Sequence, residues 1–481
     1  MNQVPRVVSV LLLVIGFFML IPFLLSFYYG EKEASRSFLI VIIAITVICT
    51  SVFSLTRKSK RRILSNRAGF LMVTLSWSFA ALFSALPFYL SGTIPRFVDC
   101  FFEAMSGYTT TGATILTEIE SLPMSMLFWR SLTHWLGGMG IVVLTVALLP
   151  ILGVGGLQLM RAEAPGPTVD KITPKIAESA KILWFIYLGL TAAETLLLFA
   201  GGMSLFDAFT HTFGTLATGG FSPKNSSVGF YNSSYIDIVV TVFMLLAGMN
   251  FTLYFRLIKG KPGRVLRNTE FRAYVGTFAA AMLIITFTNY GAIYDTLGKS
   301  ARFAGFQAAS ILTTTGYTTT DYTNWPMLPQ VVLFLLMFIG GSSGSTGGGM
   351  KVIRIVTLFK QGWNELKYLI YPRGVFTVKI DGSSVKNEIV YSIAGFVFFY
   401  ISLLLFTTFV VATGDSDILT SLSTALVTLG NIGPGFGEIG PAFNYAHYPD
   451  YIKWYLSFIM MTGRLEVYTV VMLFVPMFWK K

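Results

Sequence analysis

The chain has 481 residues, 54% of them hydrophobic and only 12% charged, with a mean hydropathy of +0.67 and a formal net charge of +12. A soluble domain carries about a quarter charged residues, so this composition is built for lipid and leaves no room for a large water-soluble domain. The positive charge is not a nucleic-acid signature, because it lies in short connections between apolar stretches.

A helix needs ~20 apolar residues to cross a bilayer core. Ten stretches qualify, near 7–28, 38–56, 68–91, 123–151, 181–202, 236–257, 273–297, 328–359, 389–413 and 452–479. The first runs into the second with no small-residue processing site, which predicts a membrane helix and not a cleaved leader. Cys49 and Cys100 predict no disulfide. Connections on one side hold 26 of the 35 basic residues: Arg6, Arg57 to Arg67, Arg161 to Lys181, Arg256 to Arg272, Lys351 to Lys386 and Lys480–Lys481. By the positive-inside rule both termini are cytoplasmic. The other side carries Asp99, Asp207, Asp321, Asp415, Asp417 and Glu438. These read either as an acidic outer mouth that concentrates cations or as ordinary solvated loop charges.

Four outer segments, each between two spans, read alike: FVDCFFEAMSGYTTTGAT (97–114), LFDAFTHTFGTLATGGFS (205–222), RFAGFQAASILTTTGYTT (302–319) and ILTSLSTALVTLGNIGPG (418–435). Aligned on Gly112, Gly219, Gly316 and Gly433, they recur at 107, 97 and 117 residues. The repeating unit is span, short helix, small-residue turn, span. A helix of about 13 residues reaches only ~20 Å, too short to cross, so it dips in and returns as extended chain. Such backbone survives at that depth only when buried in protein or lining water. Four such turns around one axis make a pore. Glycine frees the backbone to aim carbonyls inward, threonine adds a hydroxyl, and a ring of carbonyls replaces the water shell of an alkali ion. The candidate ion-binding residues are Thr110, Thr111 and Gly112; Ala217, Thr218 and Gly219; Thr314, Thr315 and Gly316; and Asn431, Ile432 and Gly433. The last triplet departs most from T-T-G.

The motifs SGYTTTGAT, TLATGGFSP, LTTTGYTTTD and TLGNIGPGFG, with RSLTHWLGGMGIVVL (130–144) and TGRLEVYTV (462–470), resemble the pore-forming subunits of the Trk/Ktr/HKT potassium-transporter superfamily. The likeness covers essentially the whole chain, and the two extra spans at 7–56 favour the TrkH/TrkG branch. It implies an all-α polytopic fold with four pseudo-repeats around a central pore: an N-terminal pair of helices (1–64), then repeats at 65–175, 176–268, 269–385 and 386–481. It also implies a filter glycine in every repeat, and Gly112 where some sodium-transporting plant relatives carry serine. A homodimer in the bacterial inner membrane, a cytoplasmic ring of RCK-type nucleotide-binding subunits, and potassium as cargo with rubidium as its substitute are further implications. No covalent cofactor is expected.

The stretch FIGGSSGSTGGGMKVIR (338–354) interrupts the eighth span, 328–359, the third repeat's inner helix, with Gly340, Gly341, Ser342, Ser343, Gly344, Ser345, Thr346, Gly347, Gly348 and Gly349, followed by Lys351. A phosphate-binding loop needs G-x-x-x-x-G-K-[ST] after a strand, and neither condition holds. It reads as a plain flexible connection or, by the resemblance, as an intramembrane gate, held by few apolar contacts and cheap to move. Arg464, a charge at mid-span, marks function by default and is placed by the resemblance below the filter, where it bonds loop carbonyls and repels cations. The other reading is a structural arginine paired elsewhere. Glu466 is a poor intrahelical partner for it. Arg130 and His134 share a helix face and read as interhelical hydrogen-bonding or anchoring residues. Glu194 is a buried acid without an evident partner, and His211 and His447 complete no metal site. No catalytic set assembles, so an enzyme is not expected. The remaining alternative is a symporter coupled to protons or sodium, although four hairpin units of one orientation favour a channel-like pore over alternating access.

Overall fold

The computed structural model describes residues 4–56, 66–138 and 176–480. The basic clusters at 57–65 and 161–175, the second half of the span at 123–151, and the repeat boundaries at 64 and 175 lie outside the described residues.

Helices α1 (Val4–Tyr28) and α2 (Lys32–Thr56) form a hairpin that packs on α3 (Asn66–Leu90). Their turn uses Gly30 at φ 72°, and Glu31 beside it accepts from the Met124 and Ser125 amides at 2.6 and 3.1 Å. A carboxylate suits the positive end of a helix. It therefore ties the N-terminal pair to the start of α5.

The four units follow in order. The first holds α3, the short α4 (Phe97–Tyr108) and α5 (Met124–Gly138). The second holds α6 (Ile176–Ala200), the short α7 (Leu205–Leu216), α8 (Ser234–Ala247) and α9 (Phe251–Ile258), and α10 (Pro262–Leu266) links it onward. The third holds α11 (Thr269–Asn289), the short α12 (Leu297–Leu312), α13 (Met327–Met337) and α14 (Val352–Ile370). A hairpin of β1 (Lys379–Ile380) and β2 (Ser383–Ser384) precedes the fourth: α15 (Asn387–Ala412), the short α16 (Ile418–Leu429), α17 (Asp450–Arg464) and α18 (Val467–Val471). The protein is thus an all-α, multi-pass membrane protein. Among the described residues, six helices are long and apolar enough to cross a bilayer.

Two expected spans are not straight. The 236–257 span bends by 96° between α8 and α9, and the 452–479 span bends by 118° after α17. Average hydropathy misses both breaks because each half is apolar. The local signals are polar: Asn250 caps α9 by accepting from the Thr252 amide at 2.9 Å, and Glu466 takes a left-handed φ of 64°. The third inner span is interrupted by residues 338–351, between α13 and α14, as the glycine run requires.

The short helices α4, α7, α12 and α16 are 12, 12, 16 and 12 residues long. At ~1.5 Å per residue none spans the hydrocarbon layer. Ser204, Thr296 and Asp417 cap the last three by accepting from amides three residues on, at 3.0, 3.3 and 3.0 Å. Most of their residues are buried, which is how irregular backbone at their far ends becomes tolerable.

Candidate ion-conduction site

All four short helices end in the same way. The residue after the cap has a left-handed backbone: Thr110 (φ 52°), Thr218 (53°), Thr314 (60°) and Asn431 (54°). The next amide reaches back to close the helix, Thr111 to Ser106 O (2.9 Å), Gly219 to Gly214 O (2.8 Å), Thr315 to Ser310 O (2.8 Å) and Ile432 to Val427 O (2.9 Å). This six-to-one closure is a Schellman cap, usually built on glycine. β-Branched residues at positive φ are strained, and strain of this kind persists only where the surroundings over-determine it.

Two residues beyond each strained position stands a glycine with φ between 78° and 95°: Gly112, Gly220, Gly316 and Gly433. The second repeat is therefore in register through Thr218, Gly219 and Gly220, not Ala217, Thr218 and Gly219. Two adjacent glycines made the alignment ambiguous; counting from the helix end resolves it. Ala217 is instead the helix cap.

The glycines report how the repeats meet. A Cβ on Gly112 would collide with Gly219 O, on Gly220 with Thr315 O, on Gly316 with Ile432 O, and on Gly433 with Thr111 O at 2.6 Å. Each collision is with the next repeat, and the fourth returns to the first. The ring is closed. Only glycine lets four backbones approach so closely. The four glycines also line one cavity.

Hydroxyls and amides brace the ring. Thr109 and Thr111 share a bond of 2.8 Å, Thr313 and Thr315 one of 2.7 Å, and Asn431 Nδ2 donates to Thr111 Oγ1 at 2.9 Å, joining the fourth repeat to the first. Tyr445 donates to Gly433 O at 2.7 Å, and Tyr317 to His211 O and Phe221 O at 3.0 and 3.1 Å. Glu103, which no sequence signal singled out, accepts from Arg130 Nε at 2.6 Å, from Thr114 Oγ1 at 2.9 Å and from the Ile115 amide at 3.1 Å. Arg130 also donates to Ser222 O at 3.0 Å and lies 3.5 Å above the Phe221 ring. This buried pair clamps the chain leaving the first turn to the chain leaving the second. His134 bonds Gly107 O at 2.7 Å and stacks on Phe221. Both residues thus make the interhelical bonds expected of them.

The outer acids do not line this cavity. The charged residues lining the cavity are Arg130 and Lys224, and none of the six outer acids named above is among them. Asp99 is held by Lys453 at 2.8 Å and Arg96 at 2.8 Å, Asp207 lies 3.9 Å from Lys224, Asp321 accepts from the Thr323 amide at 3.0 Å, and Asp417 is a helix cap. Glu438 faces His447 at 3.7 Å. These acids serve local structure.

The 340–349 loop passes directly against the ring residues. The Gly348 amide donates to Thr314 Oγ1 at 2.6 Å; a Cβ on Gly347 would meet Thr313 O at 3.0 Å, and one on Gly348 would strike Gly430 O. Ser342 N bonds Gly248 O at 2.9 Å, Thr346 Oγ1 bonds Ala247 O at 3.1 Å, and Phe251 N bonds Gly344 O at 3.0 Å, so the loop is fastened to the break between α8 and α9. Arg464 Nη1 donates to Thr346 O at 2.6 Å, while its Nη2 reaches Gly137 O and Gly138 O at 2.9 and 3.0 Å. The loop-carbonyl bond expected of Arg464 is present, and the same guanidinium ties down α5. Lys351, at φ 75°, donates to Gly347 O and folds the loop onto itself. Ser345 Oγ bonds Ser342 O at 2.6 Å, and the Ser343 amide bonds Glu270 Oε1 at 2.6 Å. The expectation of a loop cheap to move needs correction. Polar bonds to the second, third and fourth repeats hold it, Arg464 links it onward to the first, and Gly340, Gly341, Ser342, Thr346, Gly347 and Gly348 are buried.

Glu466 pairs with Arg354 of α14 across the two breaks, not with Arg464. Glu194 is fully buried, and neither of its carboxyl oxygens has a hydrogen-bond partner among the described residues. Cys49 and Cys100 are buried free thiols. No cluster of three or more metal-ligating side chains occurs among the described residues.

Known proteins resemble this chain over its whole length. The Trk system potassium uptake protein TrkH of Escherichia coli (strain K12) is 41% identical over 489 residues, covering 100% of this chain and 99% of the relative. TrkG of the same strain is 35% identical over 466 residues, 96% of this chain and 95% of its own. The crystal structure of the potassium transporter TrkH from Vibrio parahaemolyticus superposes with a TM-score of 0.89 at 37% identity, covering 100% of this chain and 99% of that one. A family model described as TrkH, cation transport protein, matches residues 35–481 and so takes in all four glycine turns, the loop and Arg464. With likeness at this level in sequence and fold alike, the chain belongs to the TrkH family of cation transport proteins, which are transporters and not enzymes.

Proposed function

We propose that this protein takes up potassium across the bacterial inner membrane through the ring built on Gly112, Gly220, Gly316 and Gly433. The observation that carries the reading is ring closure: each glycine abuts the carbonyl of the next repeat, Thr111, Gly219, Thr315 or Ile432. Carbonyl oxygens brought together without side chains between them replace the hydration shell of a large alkali cation. The four short helices direct their C-terminal partial charges toward the same place. The relatives named as potassium uptake proteins support potassium as the ion.

On this reading the chain divides at residues 64, 175, 268 and 385 into an N-terminal pair and four repeats. The 340–349 loop is the gate and Arg464 its cationic fastening. Both termini are cytoplasmic. The basic connections at 256–272 and 351–386 face a nucleotide-binding regulatory ring, and two copies of the chain form the assembly. The test is rubidium uptake into proteoliposomes under an imposed potential, competed with potassium, sodium and lithium. Uptake blocked by potassium and not by sodium or lithium, and persisting without a proton or sodium gradient, is the expected result. Uptake that requires such a gradient would make the protein a symporter. Equal block by all three ions would remove the filter reading.

A further inference from the structure

Glu270 stands in the first turn of α11, a helix otherwise exposed along much of its length, yet Glu270 itself is 6% exposed. An acid in the first turn ordinarily complements the helix's own free amides. Here Asn268 already supplies that cap, accepting from the Phe271 amide at 2.9 Å. The Glu270 carboxylate turns inward and accepts from the Ser343 amide at 2.6 Å, in the middle of the glycine loop. It is a side chain of the third repeat's outer helix acting on the loop.

The start of α11 is fixed by an exposed hairpin as well. Asp381 and Gly382 have φ values of 49° and 80°, the pair of positive angles that a tight two-residue hairpin needs, and they join β1 to β2. Asp381 accepts from Asn268 Nδ2 at 2.7 Å and from the Thr269 amide at 2.6 Å, and its own amide donates to Thr269 Oγ1 at 3.1 Å. The same hairpin is bound to α14, where Lys360 Nζ donates to Lys379 O at 2.8 Å. Helix α14 begins at the other end of the loop, with the Val352 amide on Gly341 O at 3.1 Å. One small exposed hairpin therefore touches both the helix that restrains the loop and the helix that continues it.

We propose that Glu270 is a positioning residue that latches the loop across the conduction path, and that the Asp381 hairpin sets the latch by fixing the first turn of α11. The inference rests on the reading of 340–349 as the gate. A push or pull on the hairpin displaces the Asp381 contacts, lets the first turn of α11 move, and withdraws the acceptor from Ser343. An approach of the regulatory ring to this basic connection would act there.

The test uses the full-length chain in proteoliposomes, with rubidium uptake and backbone hydrogen exchange at 340–349 measured on the same preparations. Glu270→Ala should speed exchange at Ser343 and raise uptake, each about tenfold or more, as loss of one charge-assisted bond predicts. Glu270→Gln keeps an acceptor oxygen in the same place and should fall between the two. Asp381→Ala should speed exchange in 269–272 and in 340–349 together. Wild-type exchange at Ser343 in folded Glu270→Ala overturns the latch, and so does Asp381→Ala that loosens 269–272 without touching the loop. A chain lacking 343–346 separates the two levels of inference. If that deletion raises uptake and Glu270→Ala does not, the latch alone is wrong. If neither raises uptake although exchange at the loop increases, the gate reading fails and the latch has nothing to control.

Discussion

Replacing Arg464 with alanine removes bonds to Thr346 O, Gly137 O and Gly138 O at once. Only the first holds the loop. A hydrogen bond from a charged donor is worth ~1.5–3 kcal/mol net, which shifts the loop toward displacement by roughly 10- to 150-fold. The cation itself adds to the barrier: at ~8 Å and an effective dielectric of about 20 a unit charge costs a passing ion ~2 kcal/mol. Rubidium uptake by Arg464→Ala should therefore rise at least tenfold. Arg464→Lys separates the two contributions, because an ammonium keeps the charge but cannot fork to three carbonyls. Its uptake should lie between wild type and alanine. Both variants leave Gly137 O and Gly138 O short of a donor, so a lower Tm is expected, and uptake is compared only among preparations that stay monodisperse. Folded Arg464→Ala with wild-type uptake and wild-type exchange at 340–349 would refute the reasoning.

The register of the second turn has its own signature. Alanine at Gly220 meets the Thr315 backbone at φ 81°, whereas alanine at Gly219 meets the His134 ring at 2.5–2.7 Å. The Gly219→Ala defect in rubidium uptake should be partly relieved by His134→Ala, and the Gly220→Ala defect should not; relief of both would place the close approach elsewhere. Glu103→Gln or Arg130→Met breaks a buried ion pair and should cost ~3–5 kcal/mol of stability, while the double replacement Glu103→Gln/Arg130→Met should cost less than the worse single one, read as Tm in detergent. Equal or additive losses would mean that the pair is not energetically coupled. Asn250→Ala removes the α9 cap, and a loss of about 1 kcal/mol with faster exchange over 251–258 is expected, without change in potassium over sodium competition.

Much of the fold is legible because lipid imposes one rule on every span. Length, apolarity and basic connections mark α1, α2, α3, α6, α11 and α15, and the spacing of Gly112, Gly316 and Gly433 exposes the repeat. What escapes is set by contacts distant in sequence. The bends after Ala247 and Arg464 leave hydropathy unchanged, so only Asn250 and Glu466 betray them. In the second repeat the sequence TGG offers two glycines, and the deciding pattern is Thr-x-Gly or Asn-x-Gly measured from the helix end, visible in the other three repeats. Glu103 looks like an ordinary acid in a short amphipathic helix and Glu270 like one in a helix's first turn. Their partners lie 27 and 73 residues away, and nothing local announces them. The outer acids mislead for the opposite reason: counted by side of the membrane they suggest a field, but Asp99, Asp207, Asp321 and Asp417 are each spent on a neighbouring amide or cation.

The glycines of the 340–349 loop answer to crowding more than to flexibility. A Cβ on Gly340 would run into Gly348 and Gly349, one on Gly348 into Gly430 O, and one on Gly347 into Thr313 O and Gly341. The backbone is folded flat against itself and against the ends of α12 and α16, where no side chain fits. Losing one bond shifts the balance of a loop so packed toward displacement without releasing it outright. Its fastenings lie at places where the surrounding helices are already interrupted: the α8/α9 break holds Ser342, Gly344 and Thr346, the end of α17 holds Thr346 through Arg464, and the first turn of α11 holds Ser343. Short segments between breaks swing about a few dihedral angles without unwinding a helix, so the loop and its fastenings can move as one body. On the proposed reading, Arg354 and Glu466 then matter because they join α14 to the break below α17. A displacement that starts at α14 reaches Arg464 through that pair, and the two ends of the loop are released together.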